Sequence, residues 1–298
     1  VNALIARYGM AADGEAWNVA WGWRWMFVSE TLPAVLFFVL LFFVPESPRW
    51  LIKNRQRNAA FATLARVNGA VRTEAEVTEI TEAVAREDTS MRQLFQPGLR
   101  IALLVGVALA ILQQVTGINV VLYYAPEIFK SVGRAADTAI YQTVIVGLVN
   151  VSFTLVAIWV VDRVGRKPLL LAASAGMGLS LAALGLAFRF ERFEGPLVLF
   201  LVLAYVASFA VAMGPVVWVV LSEIFPTRVR GTAMSIATVC LWIACYAVSQ
   251  TFPWLLETFA GNSLFLYAVM CAVCFIFVWF CVPRTKGKTL EEIERHWT

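Results

Sequence analysis

Charge is scarce in this sequence. Asp, Glu, Lys and Arg make up 15% of its 298 residues while apolar types make up 60%, whereas about a quarter of an ordinary soluble domain is charged. A freely soluble globular domain is the first class excluded. Histidine is nearly absent: the single copy, His296, lies in the polar last stretch, where it is solvated. With it go the Ser-His-Asp triad and the histidine metal sites. No phosphate-cradling glycine loop or cluster of metal ligands takes their place, so no enzymatic activity, cofactor or metal is expected. The five cysteines, Cys240, Cys245, Cys271, Cys274 and Cys281, all fall inside apolar stretches, which excludes a disulfide framework. Cys271 and Cys274 form a C-x-x-C without a partner pair and read as small buried residues. A basic start followed by a short apolar core is also lacking, so no cleavable signal is read, and Val1 makes the beginning read as cut mid-protein.

Long uncharged runs are what the chain has in plenty. Seven stand out: Trp25 to Val44 (broken only by Glu30), Ile101 to Pro126, Thr138 to Val161, Pro168 to Phe188, Gly195 to Ser222, Gly231 to Leu256 and Thr258 to Pro283. Each has the roughly 20 residues that a helix needs to cross a hydrocarbon core of about 30 Å, and only a helix closes its own backbone hydrogen bonds in so short a crossing. An all-α membrane protein with seven transmembrane helices follows, with the lipid bilayer as its first partner. Lysine and arginine then set the orientation. With the segment before Trp25 outside, eighteen of the 24 basic residues fall on the cytoplasmic side and six outside. The net charge of +4 reflects that sorting and does not call for nucleic acid.

One polar insertion, Glu46 to about Leu99, interrupts the pattern. Helical spacing in 57–68 and 73–87 predicts short amphipathic helices on the cytoplasmic face, with Thr73-Glu74-Ala75-Glu76 as a helix start and Gln96-Pro97-Gly98 as a turn. The run Val44-Pro45-Glu46-Ser47-Pro48-Arg49 after the first span is echoed by Val282-Pro283-Arg284-Thr285-Lys286-Gly287 after the last. Either these are ordinary helix stops at the interface or they mark repeated halves, as in many transporters.

Polar residues inside the spans need partners in a medium that offers none. Gln113 lies roughly 18 Å into its helix at about 1.5 Å per residue, near the bilayer middle, and Asn150 in the next helix reaches a similar depth. On a regular helix Asn119 would point about 140° away from Gln114. The three amides of Gln113, Gln114 and Asn119 therefore converge only if the helix is interrupted, and Thr116-Gly117 stands between them. Side-chain amides both donate and accept, which suits a neutral polyol, and Trp218 and Trp242 offer flat faces to the C–H surface of a sugar ring. The alternative is that these residues hold helices together by interhelical hydrogen bonds.

At this point the residues resemble the sugar porter family of the major facilitator superfamily, and most of all its bacterial D-xylose/proton symporters. The motifs that carry the resemblance are PESPRWL at 45–51, QQVTGINVVLYYAPEIF at 113–129, DRVGRK at 162–167, GPVVW at 214–218, SEIFPTRVRG at 222–231 and TKGKTLEEIE at 285–294. The resemblance implies helices 6 to 12 of a twelve-helix fold. Residues 1–24 would be the extracellular end of helix 5 and a loop, 25–44 helix 6, 45–99 a cytoplasmic helical insertion, 100–283 the C-terminal six-helix half and 284–298 a cytoplasmic tail. It implies a sugar bound by Gln113, Gln114 and Asn119, with Tyr123, Asn150, Gly214, Trp218 and Trp242 around them. Asp162, Arg166, Glu223 and Arg230 would form the charge cluster that holds the inner gate shut. Alternating access to a monosaccharide, with protons as a second partner, is the implied activity, and the missing N-terminal half would complete the path.

Three positions depart from the family pattern: Leu241, where an amide precedes the matching Trp, Cys245 in place of an Asn, and Arg284 in place of a Glu. The family's proton-coupling carboxylate lies on the first helix, which this chain lacks, and Glu30 matches a structural position. Two other classes fit parts of the pattern. A seven-helix receptor is suggested by Asp162-Arg163-Val164 but opposed by the long first insertion and the absence of N-P-x-x-Y in the last span. A non-transporting sensor on the same fold is the other.

Overall fold

The computed structural model describes residues 1–13, 15–85, 94–96, 98–125, 136–190, 197–226 and 229–286. Pro97 of the expected turn, Pro126 to Phe129, Lys130, Arg134, Arg192 and the tail from Gly287 on, with His296, lie outside the described residues. All regular structure among the described residues is helical, and it falls into two compact units, Val1–Asp88 and Thr89–Thr298.

In the first unit, α1 (Asn2–Asp13) leads through a helical turn at Glu15–Trp17 and a π-helical turn at Asn18–Gly22 into α2 (Trp23–Leu41). Asn18 ties the turn back onto α1 by donating from Nδ2 to the Ala6 carbonyl at 3.0 Å. Helix α2 ends three residues short of the apolar stretch, because Val44 precedes Pro45 and a residue before proline avoids helical backbone. Three short helices follow: α3 (Pro48–Lys53), α4 (Arg57–Asn68) and α5 (Ala70–Ala85). Ser47 caps α3, its Oγ accepting from the Trp50 N–H at 3.2 Å, with Pro48 in the first helical position where no N–H is needed. Leu51, Ile52, Ala60, Leu64 and Val77 form a small core of their own. Thr73 is not a helix start. Gly69, at φ +77°, sets the boundary, and Thr73 is fully buried with Oγ1 donating back to the Gly69 carbonyl at 2.7 Å.

The second unit contains α6 (Leu99–Val115), α7 (Ile118–Tyr123), α8 (Ala136–Val164), α9 (Arg166–Arg189), α10 (Leu197–Ser208), α11 (Pro215–Ile224), α12 (Arg230–Phe259) and α13 (Ser263–Cys281), with a π-helical turn at Phe209–Met213 between α10 and α11. Helix α9 packs along both α13 and α10, and α6 lies along α12. Leu109, Leu170, Met177, Val220, Leu221 and Cys274 are fully buried between them. Leu148, Trp159, Leu179 and Phe280 are exposed; helices apolar on every side belong inside a large core or a membrane. The last turn of α12 runs past the expected stop at Leu256, because Glu257 ends an apolar run without ending backbone hydrogen bonding, and the chain turns at Ala260–Asn262.

Among the described residues, seven helical segments are long and apolar enough to cross a membrane: Asn18–Leu41, Leu99–Tyr123, Gln142–Val164, Arg166–Arg189, Leu197–Ile224, Arg230–Phe259 and Ser263–Cys281. Two of the seven are broken inside their length, Leu99–Tyr123 at residues 116–117 and Leu197–Ile224 at the π turn and Gly214-Pro215.

Candidate functional site

The break after α6 is built by three residues. Thr116 Oγ1 turns back to the Gln113 carbonyl at 2.7 Å, competing with the helix for that acceptor. Gly117 follows at φ +92°, a left-handed conformation that an L side chain adopts only at a cost, and a Cβ there would lie 2.8 Å from the Tyr267 ring. The carbonyl of Thr116, which points out of the interrupted ladder, is taken by the fully buried Tyr205 hydroxyl, donating at 3.0 Å. With α7 restarted in a new direction, Asn119 meets Gln114 instead of pointing away from it.

The three amides form a single hydrogen-bonded row. Asn119 Nδ2 donates to Gln114 Oε1 at 2.6 Å, Gln114 Nε2 donates to Gln113 Oε1 at 3.3 Å, and Gln113 Nε2 donates to the carbonyls of Met213 at 2.6 Å and Gly214 at 3.2 Å. The polarity of the row is fixed from one end. A backbone carbonyl cannot donate, so Gln113 must face α10–α11 with its nitrogen and Gln114 with its oxygen. Gln114 then answers with nitrogen, and Asn119 must do the same toward Gln114. The second N–H of Asn119 goes to Cys245 Sγ of α12 at 3.1 Å.

Few donors remain once these bonds are made. Gln113 and Asn119 have used both N–H groups, leaving about one N–H, on Gln114, against about four unused oxygen lone pairs across the row. A ligand with hydroxyls to donate fits this surplus of acceptors; a carboxylate or phosphate, which only accepts, does not. Gln113 and Gln114 are buried at 2% and 6% exposure, and Asn119 is the most open of the three.

Other expected residues are placed unevenly. Gly214 enters through its carbonyl, and the Tyr123 hydroxyl comes within reach of the Cys245 thiol. The Asn150 side chain is turned to its own helix, where Thr154 Oγ1 lies 3.4 Å from its Oδ1 and 2.8 Å from its backbone carbonyl oxygen, and it makes no bond to the row among the described residues. Trp218 and Trp242 are exposed, and neither indole N–H has a hydrogen-bond partner among the described residues. Met213 and Tyr205 were not anticipated, although Gly214-Pro215 signalled a helix break that would free carbonyls nearby.

A charged cluster stands where α8 meets α9. Arg166 reaches Glu223 Oε1 with Nη2 at 2.8 Å and Nε at 3.0 Å, and Asp162 Oδ1 with Nη1 at 3.2 Å. Gly165, at φ +97°, makes the corner between the helices, and Lys286 packs over it while donating from Nζ to the Arg163 carbonyl. Lys167 Nζ donates to the Trp279 carbonyl at 2.7 Å, so each lysine caps the last turn of another helix. Arg230 Nε donates to the Phe225 carbonyl at 3.3 Å.

Comparison with known proteins agrees with this architecture. The family model for sugar (and other) transporters matches residues 1–297. The chain belongs to the sugar (and other) transporter family. Within the family it is 42% identical to the arabinose-proton symporter of Bacillus subtilis (strain 168) and 44% identical to the D-xylose-proton symporter of Escherichia coli (strain K12), over 100% of this chain in both cases. It spans 64% and 61% of those relatives' lengths. The solved structure of the proton:xylose symporter XylE bound to 6-bromo-6-deoxy-D-glucose, 43% identical, superimposes with a TM-score of 0.82 and covers 100% of this chain and 63% of its own. The chain is thus a multi-pass membrane protein of all-helical major facilitator fold, and the structures it matches are transporters.

Proposed function

We propose that this chain supplies the sugar-contacting part of a secondary transporter that carries D-xylose or a related pentose or hexose across the cell membrane together with a proton. The polarised amide row carries the reading. It is neutral, sits at a break inside a span, and has acceptors in excess, which is what the O–H groups of a neutral monosaccharide require. The names of the arabinose and D-xylose symporters support the choice of substrate class and of proton coupling.

In this reading Gln114 and Asn119 hold the sugar, Gln113 orients them, Tyr123, Trp218 and Trp242 cover the ring, and Asn150 lines the approach. Asp162, Arg166, Glu223 and Arg230 close the inner side and part as two halves rock about the site. The N-terminus of the segment faces outside and its end faces the cytoplasm, following the basic residues. A second half, for which the relatives have the length, closes the cavity and carries the coupling carboxylate.

Uptake of labelled D-xylose by cells expressing the reading frame that contains this chain tests the proposal, beside a Gln114→Ala variant. Saturable uptake that rises with an inward proton gradient and falls at least about tenfold in the variant, the cost of about 1–2 hydrogen bonds, is the expected result. Membrane-localised protein that moves no pentose or hexose under any gradient would refute it. Sugar binding without uptake would favour a sensor instead.

A further inference from the structure

Cys245 is 5% exposed and stands one turn beyond Leu241, 2% exposed, and two beyond Ala237, 0% exposed, on the buried face of α12. Among the buried residues of α12 it alone has a side-chain atom that can accept a hydrogen bond, and that atom receives the second N–H of Asn119 at 3.1 Å. The first N–H of Asn119 is held by Gln114 at 2.6 Å, in an orientation fixed by the carbonyls of Met213 and Gly214. Without the sulfur, that N–H would be open to whatever oxygen comes near.

We propose that Cys245 is a positioning residue that makes Asn119 an acceptor-only group, so that the ligand position facing Asn119 Oδ1 must carry a hydrogen-bond donor. The inference rests on the sugar reading above and deepens it: at that position the transporter selects a free hydroxyl and rejects substituents that merely accept. A sugar hydroxyl both donates and accepts, a fluorine in its place only accepts, weakly, and a hydrogen does neither. With Asn119 locked by the thiol, fluoro and deoxy analogues lose the same bond and bind equally poorly.

The experiment is competition binding with detergent-purified protein from the reading frame that contains this chain. Labelled D-xylose is displaced by D-xylose and by its singly deoxygenated and singly fluorinated analogues, in the native protein, Cys245→Ser and Cys245→Ala. In the native protein and in Cys245→Ser, where the hydroxyl still accepts from Asn119, the fluoro and deoxy analogues at one ring position are expected to be equally weak. In Cys245→Ala the released N–H favours the fluoro analogue at that position by about two- to tenfold, the range of one net hydrogen bond. The Tyr123 hydroxyl lies near the Cys245 thiol and loses that neighbour in the Ala variant, so the gain must persist in a Tyr123→Phe, Cys245→Ala double variant. If Cys245→Ala shifts all analogues by one common factor, or the gain vanishes with Tyr123→Phe, the positioning role is overturned while the sugar reading stands. If native protein binds no D-xylose, the sugar reading falls and takes this inference with it.

Discussion

Gly117→Ala is the sharpest test of how the break is made. At φ +92° the new methyl group would hold alanine in left-handed backbone, at about 1–2 kcal/mol. It would also lie 2.8 Å from Tyr267 Cδ1 and 2.9 Å from Cγ, well inside the ordinary contact distance of about 3.5–4.0 Å. Tyr267 is 4% exposed, packed near Phe252 with ring centroids 6.3 Å apart, so its ring cannot swing away freely. Overpacking of that kind costs about 1–3 kcal/mol, and the two effects together give about 2–5 kcal/mol. At roughly 2–4 °C per kcal/mol the thermal midpoint in detergent should fall by about 4–20 °C. Gly117→Asn meets the same ring but tolerates positive φ better and should lie about 0.5–1 kcal/mol above the alanine variant. A midpoint within about 2 °C of the native protein for Gly117→Ala would refute the claim that this conformation and this contact hold the break.

Further substitutions at Gln113, Arg166, Asp162 and Tyr205 separate the parts of the site. Gln113→Glu, which sets a second oxygen against the carbonyls of Met213 and Gly214, should be less stable than Gln113→Leu by about 1–3 kcal/mol. The gap should narrow on acidification, because a protonated carboxyl regains a donor; thermal midpoints of both variants between pH 8 and pH 5 would show it. Arg166→Lys should destabilise by about 1–2 kcal/mol, since an ammonium cannot reproduce the fork onto Glu223 and Asp162, whereas Asp162→Asn, at a side chain 77% exposed, should change the midpoint by under about 0.5 kcal/mol. Tyr205→Phe should cost about 1–2 kcal/mol in the same assay, because it leaves the buried Thr116 carbonyl without its hydroxyl donor.

The helical class and the number of spans were legible because an uncharged run of about 20 residues admits hardly any other structure. The break at Thr116-Gly117 was legible for a different reason: helical geometry put Asn119 on the wrong side, and a glycine stood where a correction was possible. The π turn at Phe209–Met213 was not, since one extra residue in a helix leaves no mark in composition and Gly214-Pro215 marks only its end. Thr73 misled because a Thr followed by Glu three residues later reads as a cap, while Gly69 with positive φ had already reset the chain. Cys245 was visible only as the loss of an amide. Its bond to Asn119 joins residues 126 apart and depends on the rotation of α12, which no local pattern encodes. The exposure of Trp218 and Trp242 likewise depends on which faces of α11 and α12 the neighbouring helices leave open.

On the proposed reading, the roles of binding site and interhelical glue fall on different residues of the amide row. Gln113 is glue: both of its N–H groups end on the carbonyls where the second broken span bends, so it ties one helix break to the other. Asn119, at the far end of the row, is the one whose oxygen makes no hydrogen bond among the described residues, and Gln114 between them retains one N–H. A neutral row fixed at one end by backbone and open at the other can present a defined set of acceptors without burying a charge, which a membrane interior makes expensive. The same arrangement means that any movement of Gly214 shifts Gln113 first and Asn119 last. A substitution at the fixed end should therefore disturb the site more broadly than one at the open end, where a single ligand contact is lost.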